Sequence, residues 1–186
     1  RTRNISLNLK YSLSYAEGTG SYAQSTYNIA WKNPSATPKR TRPLDYDQRH
    51  SSIAMFDLRT RAGEGPRMGE TRPFENFGLN VIAQAASGTP YTPMLIYDAI
   101  TTASVQQIPT GPINSGHLPW TFTIDLKLER SFKVGSYTLV PYVWVKNLLD
   151  RDNVTNVYEG TGEAYVTGYL TTPEGQQKAA STSESR

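Results

Sequence analysis

Residue types capable of covalent or metal chemistry are few in this chain, and they are badly spaced for it. There is no cysteine among the 186 residues, so thiolate nucleophiles, disulfides and thiolate metal sites are excluded. The two histidines, His50 and His117, lie in different segments, and no ligand spacing suggests zinc. Asp45 and Asp47 invite a calcium reading, but the further oxygen ligands are missing and turn chemistry accounts for the pair better. No glycine-rich phosphate loop, no Gly-x-Ser-x-Gly and no nucleophile–histidine–acid set is present. The sequence predicts no enzyme, no cofactor and no metal.

Charge is the remaining chemistry. Lys and Arg number 19 against 16 Asp and Glu, a net +3, and the two signs are interspersed. No basic stripe follows a phosphate backbone, so nucleic acid is not an expected partner. Two short runs stand out: Asp57, Arg59 and Arg61, and Asp125, Lys127 and Glu129, each with a charge at every second position. In a strand such residues share one face. They would pair with an opposing surface or line a solute path; a hydrated polar face is the plainer account.

The elements that carry these runs are strands. Ile5, Leu7, Leu9, Tyr11, Leu13 and Tyr15 alternate without a fault with Asn4, Ser6, Asn8, Lys10, Ser12 and Ser14. Such a strand rises roughly 33 Å, and tilted it covers the roughly 25 Å apolar band of an outer-membrane barrel. Further strands are expected at about 50–61, 74–86, 121–132 and 137–147, after a first at 4–15. Phe56 and Leu58 share a face in the second, although Ile53 and Met55 interrupt the polar side. Leu79 and Val81 do so in the third, with Ile82 opposite, and Phe122, Ile124, Leu126 and Leu128 in the fourth. Trp120 and Phe132 bracket that fourth strand, where two interfacial girdles would sit. The fifth is apolar on both sides, and Pro141 in its middle predicts a bulge or broken ladder.

Long polar stretches at about 16–49, 87–120 and 148–186 read as loops, while the connections at 62–73 and 133–136 are shorter. Long loops on one side and short turns on the other are the pattern of an outer-membrane barrel. Strands one, three and five would then run outward. Composition agrees: 37% of residues are hydrophobic, Tyr (12) is the commonest aromatic, and Gly and Pro are abundant. No run of about 18 apolar residues offers a membrane helix. Alternation alone also suits a half-buried sheet in a soluble sandwich. Strand length, aromatic placement and loop recurrence favour the barrel, with Leu7, Leu9, Tyr11, Leu13, Phe56, Leu58, Leu79, Val81, Phe122, Ile124, Leu126 and Leu128 facing lipid. Asp57, Arg59, Arg61, Asp125, Lys127 and Glu129 would face the lumen.

Four stretches carry a family resemblance. Pro43-Leu44-Asp45-Tyr46-Asp47-Gln48-Arg49-His50 resembles the Asp-Gln-Arg-His lead-in to a barrel strand in TonB-dependent receptors. Ser87-Gly88-Thr89-Pro90-Tyr91-Thr92-Pro93 resembles a segment that ends a later strand in that family. Asn147-Leu148-Leu149-Asp150 is similar to its Asn-Leu-Phe-Asp, with Leu149 for Phe, and Val157-Tyr158-Glu159-Gly160-Thr161-Gly162 continues the pattern. The best match is the subgroup with a carboxypeptidase-regulatory-like N-terminal domain. The resemblance implies an all-β fold, a portion of a 22-stranded transmembrane barrel in the bacterial outer membrane, with a plug and energy supplied through TonB. Partners so implied are membrane lipid, the rest of the barrel and its plug, the TonB complex through segments outside this chain, and a surface lipoprotein or other subunits. Residues 1–186 are expected to be a partial barrel domain, since no signal peptide precedes Arg1 and Glu184-Ser185-Arg186 does not end a barrel. Two other functions compete: an adhesion or secretion-associated barrel whose loops bind a partner, and a soluble carbohydrate-binding sandwich. The loop aromatics Tyr22, Tyr27, Tyr91, Tyr97 and Trp31 would serve solute binding or, more simply, pack the loops together.

Overall fold

A computed structural model describes residues 4–22, 40–96 and 108–183. In chain order the strands are β1 (Ile5–Leu13), β2 (Glu17–Gly18), β3 (Arg42–Pro43), β4 (His50–Arg59), β5 (Phe77–Ala86), β6 (Pro90–Tyr91), β7 (Gly116–His117), β8 (Thr121–Arg130), β9 (Phe132–Val134), β10 (Tyr137–Leu139) and β11 (Tyr142–Val145). A 3-10 turn at Tyr169–Thr171 and the helix α1 (Pro173–Ser183) follow. The fold is mostly β, and no helix is long and apolar enough to cross a membrane.

Two compact units share the chain. The first holds Arg1–Leu13, His50–Ala86 and Thr121–Asn153; the second holds Ser14–Arg49, Ser87–Trp120 and Val154–Arg186. The first unit holds a five-stranded antiparallel sheet in the order β1-β4-β5-β8-β11 and the separate β9–β10 ladder. Its end strands β1 and β11 do not pair with each other, so the described sheet is open and not a closed barrel.

The strands are nine or ten residues long where four are continuous, shorter than the spans the alternation predicts. Turn chemistry trims them. β5 starts at Phe77 because Asn76 before it takes a left-handed conformation (φ 52°) and the Glu75 N–H donates to the Arg72 carbonyl. β4 stops at Arg59, and the Thr60 hydroxyl next to it donates to the Phe74 carbonyl. The predicted fifth strand is not continuous. It is split at Val140–Pro141 into β10, which pairs with β9 around a turn at Gly135 (φ 59°), and β11, which pairs with β8. Pro141 has no N–H to give the ladder, and its carbonyl accepts from Arg130 where the two ladders meet.

In the second unit the expected loops contain two short ladders, β2 with β3 and β6 with β7. The stretch after 148 holds a helix that its polar composition hid. Thr172 caps α1: its hydroxyl accepts the Gly175 N–H at 3.2 Å, Pro173 fills the first helical position and Glu174 sits in the first turn.

Candidate functional site: the two faces of the sheet

Register assigns every residue of the five-stranded sheet to a face. On one face, Ile5, Leu58, Leu79, Leu128 and Val143 form a rung across all five strands, and Leu7, Phe56, Val81, Leu126 and Val145 form the next. Leu9, Ala54, Ala83 and Ile124 follow, then Tyr11, Ser52, Ala85 and Phe122, with Leu13 opposite His50. Every residue read from the sequence as lipid-facing lies on this one face. None of them is buried: Leu7, Leu9 and Tyr11 are 58%, 68% and 64% exposed. Among the described residues the only buried hydrophobic side chains are Leu44 and Val157, both in the second unit.

The opposite face carries the charges. Arg59, Gly78, Glu129 and Tyr142 form one rung; Ser6, Asp57, Asn80, Lys127 and Trp144 form the next. Four of the six expected polar-face charges join in one network. Arg59 Nε lies 3.2 Å from Asp57, Arg59 Nη1 is 3.5 Å from Glu129, and Lys127 Nζ is 2.9 Å from the other oxygen of Glu129. The Arg59–Glu129 contact passes over Gly78. A Cβ there would stand 2.8 Å from Glu129 Cγ, so any side chain would push the glutamate off its partner. Two acids and two bases cancel, so the network presents no net charge to a solute. Each exposed pair contributes only about 0–1 kcal/mol.

The other two predicted charges do something else. Asp125 accepts the Asn147 N–H at 2.9 Å, closing the end of β11. Arg61 lies beyond β4, exposed in the turn, with its N–H given to Glu64 at 2.9 Å. Ile53, Met55 and Ile82, the faults in the alternation, turn out to be neighbours: Met55 pairs with Ile82 and Ile53 lies one rung on, an apolar island on the polar face.

The motif residues have local physical roles. Asp47 is fully buried; its carboxylate accepts the Ala16 N–H at 2.8 Å and Arg49 Nε at 3.1 Å, binding two segments of the second unit. Asn114, also buried and left-handed (φ 58°), donates from Nδ2 to the Pro43 carbonyl (2.9 Å) and Asp45 (2.7 Å), while its N–H donates to the Thr92 hydroxyl. Gly88 is required because the Leu118 carbonyl passes where a Cβ would be. In Asn147-Leu148-Leu149-Asp150, Asn147 and Asp150 both have positive φ (50° and 48°), which Asn and Asp tolerate best after glycine. Asn153 finishes the edge of β8, its side-chain amide accepting the Phe122 N–H and donating to the Phe122 carbonyl at 2.8 and 3.0 Å.

His50 Nδ1 is 2.7 Å from the Tyr11 hydroxyl. Partial desolvation raises the Glu159 carboxyl above its ordinary pKa. Of the loop aromatics, Tyr22 is exposed and Tyr91 half-buried; Tyr27, Trp31 and Tyr97 lie outside the described residues. Sequence reading missed Gly78, Asn114, Asn153 and α1. A glycine inside a strand pattern, and Thr-Pro-Glu at a helix start, were the available signals for two of them.

No protein-family model matches the chain, and neither a curated protein nor a solved structure matches it.

Proposed function

We propose that this chain forms part of the wall of a bacterial outer-membrane β-barrel, and that the barrel is a TonB-dependent transporter importing a solute past a plug. The uncovered apolar face carries the barrel reading. Rungs of Leu, Ile, Val and Phe run across strands whose other face bears a charge network; none of these side chains is fully buried, and those on β1 and β11 are exposed. Strands of ten residues, tilted, cover roughly 23 Å, which suits a bilayer's apolar band. Five strands are too few to enclose a lumen, so other strands would complete the wall. A soluble carbohydrate-binding sandwich needs a second sheet packed on this face, and the exposure of Leu7, Leu9 and Tyr11 argues against one.

The narrower assignment rests on the resemblance of residues 43–50, 87–93, 147–150 and 157–162 to TonB-dependent receptors. On that reading the polar face looks toward the plug, with the Ile53, Met55 and Ile82 island as a packing surface. The 22-strand size, the outer-membrane location and the TonB complex, reached through segments outside this chain, belong to the same proposal. An adhesion or secretion-associated barrel would have the same wall and no dependence on TonB.

The test is to isolate the native polypeptide from the outer-membrane fraction and offer it to the immobilised periplasmic domain of TonB. A transporter of 22 strands at roughly 35 residues per strand exceeds about 800 residues before its plug, and it is retained. A membrane species of that size that flows through supports the adhesion or secretion reading. A soluble, monomeric native chain near 20.7 kDa overturns the barrel itself.

A further inference from the structure

Among the described residues the apolar face has one Lys or Arg, at the end of its ladder. Arg130 pairs with Phe77, which places it on the same face as Leu128 and Leu79, one rung beyond them. It lines a groove of about 370 Å³ whose walls include Phe74, Phe77, Leu128, Phe132 and Val143. The guanidinium lies 4.9 Å from the centre of the Phe132 ring, and Nη2 reaches the Arg72 carbonyl at 3.4 Å. Its Nε is buried and has no hydrogen-bond partner among the described residues. Glu129, next in sequence, belongs to the opposite face, where Lys127 and Arg59 hold it. A buried donor on an unneutralised cation is costly to leave unpaired.

We infer that this groove holds an anionic phospholipid, with an acyl chain along Phe74, Phe77, Leu128 and Val143 and the phosphate on Arg130. The inference rests on the membrane reading above, which supplies the bilayer. Charge complementarity selects the occupant: apolar walls suit an acyl chain, and a single cation at the end of the strands lies where headgroups begin. Phosphate oxygens match the fork of guanidinium donors, and among the described residues no carboxylate pairs with Arg130. Glu129 also lines the groove, but its carboxylate is held by Arg59 and Lys127 and so does not neutralise Arg130.

The experiment places the full-length protein in nanodiscs of phosphatidylcholine with a minor fraction of phosphatidylglycerol, and reads two signals. A bimane label on Leu7→Cys, at the far edge of the sheet, reports quenching by brominated acyl chains; native mass spectrometry after detergent extraction reports retained lipid. Quenching is expected, together with phosphatidylglycerol retained over phosphatidylcholine. Arg130→Gln lowers that preference about tenfold, the worth of one charge-assisted hydrogen bond. Lys133→Gln, on the β9–β10 hairpin outside the groove, leaves it unchanged. Should Arg130→Gln fail to insert, Val143→Phe fills the groove while keeping the cation, and retention must fall there. Equal retention in wild type and variant with the label quenched overturns the lipid site and leaves the membrane reading standing. An unquenched label overturns both. A species of doubled mass with no lipid assigns the groove to a second copy of the chain and overturns the lipid.

Discussion

Asp47 shows how a residue read from the sequence as turn chemistry can be undervalued. Its neighbour Asp45 accepts from Asn114, and Asp47 itself holds Ala16 and Arg49 with no exposure to water. Replacing it by alanine strands a backbone donor and a guanidinium together. Asp47→Ala is expected to destabilise the second unit by about 1–3 kcal/mol, with Asp47→Asn intermediate because it keeps an acceptor for Ala16. Limited proteolysis within Ser14–Arg49 measures this; equal cleavage rates for wild type and Asp47→Ala would show that the carboxylate does not hold the segment. The same logic explains why the motif stretches have the residues they have. Asn147 and Asp150 suit left-handed backbone, Gly88 admits a passing carbonyl, and Thr92 gives Asn114 a buried hydroxyl.

At the scale of elements, alternation sorted the side chains of four strands into faces because each pleat turns successive side chains to opposite sides. The predicted ends were less accurate, since they depend on turns such as Asn76 and on Pro141, whose lack of an N–H splits the fifth strand. β8 offers a comparison inside one strand. Leu126 lies on the apolar face between Val81 and Val145, and Thr123 lies on the polar face beside Gln84. Leu126→Arg is expected to cost about 2–4 kcal/mol in a bilayer, whereas Thr123→Arg stays within about 0.5 kcal/mol. Denaturant unfolding of the full-length protein in lipid vesicles measures both. Equal costs would remove the assignment of that face to lipid.

At the scale of the whole molecule, the decisive quantity is how few apolar side chains among the described residues are fully buried. A side chain such as Leu or Phe gains about 1.5–3 kcal/mol from full burial; in the rungs from Ile5 to Val143 and from Leu7 to Val145 the members on β4, β5 and β8 are half-buried, and those on β1 and β11 stay exposed. Expressed alone in detergent-free buffer, the 186-residue chain is therefore expected to aggregate, and to stay dispersed with strand signal by circular dichroism only in detergent or lipid. Sedimentation in the two conditions decides it; a dispersed, folded monomer in water would mean that something within the chain covers the face.

The sequence by itself determined the β character and the two faces, because side-chain alternation and turn preference are local properties of a few consecutive residues. Only the tertiary structure decided which residues share a rung. That pairing brought Arg59 to Glu129 over Gly78, gathered Ile53, Met55 and Ile82 into one island, and set Asn153 against Phe122. It also set Arg130 opposite Phe77 at the end of the apolar face. Register joins positions far apart in the chain, and the hydrogen-bond ladder that fixes it exists only once the strands have met.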